Sequence, residues 1–250
     1  MGTARAMLEV RGLYKSFGSR EVLSGVDLTV PEGSTCVVLG GSGSGKTVLL
    51  KHLVGLLKPD RGAVIVDGED IVRLEGDALA RVRRKFGMVF QGAALFDSLT
   101  IFENVAFPLR QHTGLPEPEI RARVHARLEL LGLTGVDGAF PAELSGGMRK
   151  RVGLARAVIM DPKIVLYDEP TTGLDPLTTD SVDEMIKAAR AHLGITSVVI
   201  SHDIGSAFSV ADQVCFLHDG RIVEAGPPGQ LRNSSHPAVR PFLQTWFGKT

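Results

Sequence analysis

Two periodicities alternate along this chain. Near the N-terminus apolar residues recur at every second position: Leu8 and Val10, then Val26, Leu28 and Val30. Such alternation marks strands with one buried face, so residues 7–11 and 22–30 are expected to form an antiparallel layer. Further on, a short strand is expected at 63–66, and apolar residues come in short unbroken runs at 34–39, 87–90, 164–167 and 197–201. Runs of that length suit strands buried on both faces of a mainly parallel sheet. Helical spacing follows the first of these runs, at Val48, Leu49, Leu50, Leu53 and Val54.

Between residues 92 and 141 the pattern turns helical. Ile120, Val124, Leu128 and Leu131 form one stripe, introduced by Pro116 and Pro118 and ended by Gly132. Another helix opens at Leu144-Ser145-Gly146-Gly147-Met148 and runs to Met160, with Ser145 as its cap. Residues 214–218 and 221–223 flank Asp219-Gly220, the signal of a type I′ hairpin. Val239, Phe242, Leu243 and Trp246 give a terminal amphipathic helix, able to cover its own domain or to reach a neighbouring subunit.

The whole is an α/β chain of a single domain. A core that includes the antiparallel layer takes residues 1–91 and 160–226, a helical subdomain 92–159, and a C-terminal extension 227–250. A length of 250 residues, 44% of them hydrophobic, suits that plan. Lys+Arg and Asp+Glu number 28 each, so no basic excess argues for nucleic acid. Cys36 and Cys215 lack metal-site spacing and read as buried thiols. The first six residues are followed by no signal-peptide core, and Ala6 breaks the myristoylation pattern. Without a run approaching the roughly 20 residues of a membrane-spanning helix, a membrane role is expected to come through a partner.

The chemistry centres on Gly40-Gly41-Ser42-Gly43-Ser44-Gly45-Lys46-Thr47, which fits the P-loop pattern G-x-x-x-x-G-K-[ST]. It lies between a buried strand and a helix, as a phosphate cradle requires. Its glycines let backbone N–H groups face an anion, and the helix start adds unpaired donors. Lys46 would reach the β- and γ-phosphates and Thr47 would face Mg²⁺. The Ser145-Gly146-Gly147 helix start is a second potential anion site. The run 164–167 ends in Asp168-Glu169; a carboxylate there is costly unless it meets a cation, which makes Asp168 a Mg²⁺ ligand candidate beside Thr47. Glu169 would face a water beside the γ-phosphate. Gln91 ends the run at 87–90, and His202 the run at 197–201. Tyr14, between the two N-terminal strands, is the candidate to stack on an adenine ring.

In this order and strand context, these stations resemble the ATP-binding cassette (ABC) ATPase family along nearly the whole chain. Tyr14 resembles its A-loop tyrosine, residues 40–47 Walker A and Gln91 the Q-loop glutamine. Residues 144–148 resemble the signature motif, with Met148 in place of glutamine. Residues 164–169 resemble Walker B, Gly173-Leu174-Asp175 the D-loop, and His202 the switch histidine. The resemblance implies a P-loop fold with a RecA-like parallel core, an antiparallel β layer and an inserted helical subdomain. It implies ATP and Mg²⁺ as cofactors, the metal held at Thr47, Asp168 and Gln91. Two copies would sandwich ATP head to tail, Ser145, Gly146 and Gly147 of one closing on the phosphate held by Lys46 of the other. Glu169, His202 and Gln91 would carry hydrolysis.

The wording of three stretches, 90–97, 102–110 and 144–150, is similar to the ATPase of Mla-type lipid transporters. That implies phospholipid as cargo and a seat on the cytoplasmic face of the inner membrane, peripheral through an MlaE-like integral permease. A lipid-binding MCE-type subunit and a small STAS-domain subunit are the further partners it suggests. Leu95, Phe96, Phe102 and Phe107 are the candidate docking groove. Import of amino acids or another solute would use the same cassette. A DNA-repair or chromosome-associated ABC ATPase would carry coiled coils, zinc-binding cysteines or a basic surface. A GTPase would carry Asn-Lys-x-Asp, whereas Asn104 and Asn233 are the only asparagines and neither precedes lysine.

Overall fold

The computed structural model describes residues 5–247. The leader and acylation readings therefore fall largely on residues outside those described.

The chain opens with β1 (Ala6–Phe17) and β2 (Arg20–Pro31), paired antiparallel with Leu8 opposite Val30 and Val10 opposite Leu28. Both strands are longer than the alternation suggests. Residues 14–17 belong to β1 because Tyr14 pairs with Ser24 on one side and Arg61 on the other. Then come β3 (Thr35–Leu39) and α1 (Lys46–Leu53), followed by β4 (Arg61–Val66) and β5 (Glu69–Asp70), which complete the antiparallel sheet in the order β2-β1-β4-β5. Helix α2 (Gly76–Arg83) leads into β6 (Phe86–Val89).

Three helices come next: α3 (Ile101–His112), α4 (Glu117–Leu130) and α5 (Gly146–Val158). Helix α3 begins at a capping box between Thr100 and Glu103. The buried amide of Asn104 shapes the approach to it, meeting the backbone of Phe96, Leu99 and Thr100. After β7 (Ile164–Asp168), α6 (Pro176–Leu193), β8 (Thr196–Ser201) and α7 (Ile204–Val210) comes the hairpin of β9 (Gln213–His218) and β10 (Arg221–Gly226). Asp219 and Gly220 both have positive φ, 44° and 72°, as a type I′ turn requires. Helices α8 (Pro228–Arg232) and α9 (Val239–Phe247) close the described chain.

The central sheet runs β10-β9-β3-β8-β7-β6, parallel from β9 to β6. Its alternate residues feed two cores. Cys36, Val38, Leu166, Val198 and Ile200 face α1 and the antiparallel sheet. Val37, Leu39, Val165, Tyr167 and Val199 face α6, α7 and α9. A third apolar cluster gathers from α3, α4 and α5, around Ile101, Val105, Val124, Leu128 and Val152. Each large aliphatic side chain so buried contributes about 1.5–3 kcal/mol. The thiols of Cys36 and Cys215 lie side by side in the first core, sharing a hydrogen bond at 3.8 Å, and form no disulfide. The Cys215 contact and burial push the Cys36 thiol well above the usual range.

Strand register sets the functional edge. Leu39 pairs with Ser201, Asp168 with Ile200, and Val89 with Tyr167. The segments leaving β3, β8, β7 and β6 therefore emerge together at the carboxyl edge, where open α/β sheets bind ligands.

Candidate nucleotide site

The loop after β3 enters α1 through Gly45, whose φ of 104° only glycine adopts without strain. A Cβ on Gly45 would also lie 2.9 Å from Leu23 and 3.0 Å from the Val22 carbonyl. No side chain caps α1, so its first-turn N–H groups remain open to an anion. Lys46 is buried, and its ammonium donates to the carbonyls of Gly40 at 2.8 Å and Gly41 at 3.1 Å. Thr47 is exposed beside it on the cleft wall.

Opposite stands Glu169, directly after β7. Its φ is +50°, an uncommon conformation for a residue with a side chain, and its N–H is tied to the Ile200 carbonyl at 2.9 Å. The carboxylate meets three groups. Oε1 lies 3.6 Å from the Lys46 ammonium; Oε2 lies 2.7 Å from His202 Nδ1 and accepts from the Thr172 hydroxyl at 3.1 Å. The structure thus gathers Lys46, Glu169 and His202 from three separate strand ends.

Asp168 sits behind this lining. One of its oxygens, Oδ1, is buried without a hydrogen-bond partner. Burial, then the neighbouring Glu169 charge, raises its pKa, while Lys51 and Lys46 pull the other way. An under-compensated carboxylate at this edge is the donor that a divalent cation takes, so Asp168 fits the metal role read for it.

The cleft has a volume of about 1060 Å³ and is lined by Gly41, Ser42, Gly43, Gly45, Lys46, Thr47, Gln91, Glu169 and His202. Gly40 lies below it, pressed so close to the Leu217 carbonyl that a Cβ would stand 2.4 Å away; the Ser44 hydroxyl is buried there without a partner. The backbone carbonyl of Gln91 accepts from the buried Lys150 ammonium of α5, and Arg156 donates to Ala93 and Ala94 at 2.8 Å each. These bonds, which no motif announced, fasten the segment after β6 to α5.

Tyr14 is not on this cleft. Its ring lies under the Arg61 guanidinium, 4.1 Å from the centroid, and its phenol end packs against Gly25. Phe17, three residues on and 48% exposed, is the aromatic that lines the cleft, with Arg20 and Val22. Register shifts along β1, between Val10 and Leu13 and again at Tyr14 and Ser16, turn the two rings to different places. The aromatic expected at position 14 is therefore corrected to position 17.

Ser145, Gly146 and Gly147 line another cleft, with Met148, Arg151 and Thr178. Ser145 caps α5, its hydroxyl accepting from the Met148 N–H at 3.3 Å. Gly173 and Leu174 line both clefts. A third, apolar groove is formed by Phe90, Phe96, Phe107 and Met160, with Phe96 and Phe107 centroids 5.0 Å apart. Of the residues expected there, Leu95 and Phe102 instead pack on the helical core, and Arg110 and Arg121 face the Phe102 ring.

A glycine loop between parallel strand and helix, an acidic strand end opposite it, and a separate capped glycine helix start define a P-loop nucleotide-binding cassette. Residues 23–172 match the family described as ABC transporter, and the chain belongs to that family. It is 47% identical over 236 residues to "Probable ribonucleotide transport ATP-binding protein mkl" of Mycobacterium tuberculosis (strain ATCC 25618 / H37Rv), covering 94% of this chain and 66% of that protein. The chain thus spans about two-thirds of the length of that relative. It is 40% identical over 237 residues to "Intermembrane phospholipid transport system ATP-binding protein MlaF" of Escherichia coli (strain K12), covering 95% of this chain and 88% of that one. Among solved structures, cbiO1 of Clostridium perfringens, part of the cbiONQ transporter complex, superposes with a TM-score of 0.85 at 29% identity, covering 98% of this chain and 96% of that one. The dimeric cassette MJ0796, bound to ADP and Pi, gives 0.79 at 33% identity over 89% of this chain and 99% of its own.

Proposed function

We propose that this chain is the ATP-hydrolysing subunit of an ABC transporter, working as a head-to-tail pair that drives a membrane permease. The observation that carries this reading is the meeting of Lys46, Glu169 and His202 at the mouth of the glycine loop. Residues 40–47 bind the triphosphate through backbone N–H groups and Lys46, and Phe17 faces the base. Thr47, Asp168 and Gln91 would hold Mg²⁺, which when bound neutralises phosphate charge. Glu169 accepts the proton of the attacking water, and His202 orients that carboxylate while remaining within reach of the transferred group. Ser145, Gly146 and Gly147 of one copy close over the phosphate of the other.

The cargo we propose is phospholipid, moved between bacterial membranes. The lengths of the relatives support it. The MlaF relatives match this chain over 88–90% of their own length, whereas the mycobacterial protein named for ribonucleotide transport extends well beyond it. No helix among the described residues is long and apolar enough to cross a membrane. The seat proposed is peripheral, on the cytoplasmic face, with the Phe90–Phe96–Phe107 groove taking a segment of an MlaE-like permease. Subunits of MCE and STAS type complete the proposed assembly. Purification of the intact membrane complex, with identification of its subunits and bound small molecules, tests this. Co-purifying phospholipid supports the reading; a nucleotide or amino-acid cargo with no lipid overturns it.

A further inference from the structure

The proposed chemistry makes no use of the C-terminal helix, yet α9 reaches the cleft. It is anchored by Val239 and Leu243, both buried in the core beneath α7, and by Phe242, whose ring meets Phe216 edge-on at 5.0 Å. Its last described turn then projects over the cleft, which Phe242, Thr245 and Trp246 line together with His202, Asp203 and Ile204. Trp246 lies directly on Gly205. A Cβ at position 205 would stand 2.6 Å from the indole Cζ2 and 2.8 Å from Cη2, so glycine is what admits the ring.

Gly205 stands in the first turn of α7, close behind His202. That turn is fastened from within: the Asp203 N–H donates to the Ser201 hydroxyl at 2.9 Å, and the Asp203 carboxylate accepts from the Ser206 N–H at 3.2 Å. The buried Ser206 hydroxyl donates to Asp183 of α6. Those bonds hold the inner side. His202 itself points outward, its side chain 55% exposed, and it reaches Glu169 through a single ring nitrogen. The indole supplies the wall on the outer side of the same turn.

We propose that Trp246 is a positioning residue for His202: by packing on Gly205 it fixes the first turn of α7 and thereby the aim of the histidine at Glu169. This rests on the ATPase reading above. Seating of α9 and the competence of the cleft are then one equilibrium, so whatever dislodges the helix slows hydrolysis, and nucleotide in turn favours the seated helix. Removal of one contact within such a network changes coupling by a few-fold to about 30-fold.

The test uses the full chain and its only tryptophan. Trp246→Ala is expected to lower kcat on the order of 3- to 30-fold with KM within about twofold. Trp246→Phe, which keeps a ring on Gly205, should restore most of the rate. Gly205→Ala approaches the contact from the other side. It favours helix intrinsically, yet it should lower kcat as Trp246→Ala does, and combining the two should add nothing. In a His202→Ala background, Trp246→Ala should have no further effect. In Glu169→Gln, the tryptophan fluorescence should shift on ATP addition. An active wild type with Trp246→Ala at an unchanged rate overturns the inference alone, as does a full further loss in the His202→Ala background. A wild type that hydrolyses no ATP overturns the ATPase reading and this inference with it.

Discussion

Replacing Glu169 by glutamine isolates the proton-accepting step from the rest of the site. The change is isosteric, and the residue's uncommon φ of +50° is held by its N–H bond to Ile200, which the side chain does not touch. The amide oxygen can still accept from Thr172 or meet His202, now 3.1 Å and 2.7 Å from Oε2. Two things are lost: the capacity to take a proton, and the charge that faces Lys46 at 3.6 Å. General-base help contributes about 10²–10⁴-fold, or roughly 3–5 kcal/mol of barrier. ATP binding moves in the opposite direction, because removing a carboxylate beside the phosphate site leaves Lys46 freer to pair with the nucleotide. Phosphate release at saturating ATP should therefore fall at least 100-fold, while nucleotide affinity holds or rises. Sedimentation should show a dimer that persists with ATP in the variant and decays in the wild type. Hydrolysis within about tenfold of wild type would falsify the role given to Glu169.

Other substitutions probe separate parts of the argument. Phe17→Ala should weaken ATP binding about 3- to 10-fold, the equivalent of a stacking contact of about 0.5–1.5 kcal/mol. Tyr14→Ala should leave binding unchanged and lower the unfolding midpoint, since its ring packs on Arg61 and Gly25; titration calorimetry and thermal melts separate the two. Phe96→Asp should abolish co-purification with the permease, while its exposed position keeps the melting temperature of the chain within a few degrees of wild type. Asp67 accepts from Lys85 at 2.8 Å and Lys163 at 2.9 Å, which holds its pKa down at about 2 against 3.8 unfolded. Its contribution is complete above the unfolded value and is lost as pH falls toward the folded one. Allowing for solvent screening, Asp67→Asn should cost roughly 1–2 kcal/mol at neutral pH. Urea titrations between pH 6 and pH 3 should show the two proteins converging on the acid side; a constant gap would refute the assignment.

Much of the core could be read in advance because it depends on local pattern. The runs at 34–39, 164–167 and 197–201 are apolar on both faces, and each stands between helices in the central sheet as such a run must. The glycine loop, the acidic strand end and the capped helix start are each one unbroken stretch of sequence, so the chemistry of each was visible together with its flanking elements. What stayed hidden depends on register or on distant contact. The choice between Tyr14 and Phe17 turned on irregularities in β1 that the alternation of Leu8 and Val10 does not reveal. Lys150 and Arg156 carried no signal of their own; they meet Gln91, Ala93 and Ala94 only because α5 packs across the end of β6. Phe102 had the composition of a groove residue, but two arginines on α3 and α4 claim its face. Gly205 had no sequence signal at all, since its reason is a ring arriving from α9.

The arrangement of the two clefts bears on why one copy would be insufficient. Gly173 and Leu174 stand between them and line both. Asp175 then caps α6 through the Thr178 N–H at 3.1 Å, which fixes the wall to a long helix. The glycine helix start at residue 146 is likewise pinned by its Ser145 cap, and Arg151 ties α5 to Ser181 of α6 at 2.7 Å. Moving the signature tip across this wall to reach a phosphate on Lys46 would break the Arg151–Ser181 bond and the clasp of Lys150 on Gln91 together. A second copy turned end over end brings its own tip to the open side of the P-loop cleft without breaking any of them. Hydrolysis that rises more steeply than linearly with protein concentration is the signature of that pairing, and it should vanish in a variant whose Ser145 is replaced by arginine. If rate per chain were independent of concentration down to nanomolar protein, the wall would have to open within one copy.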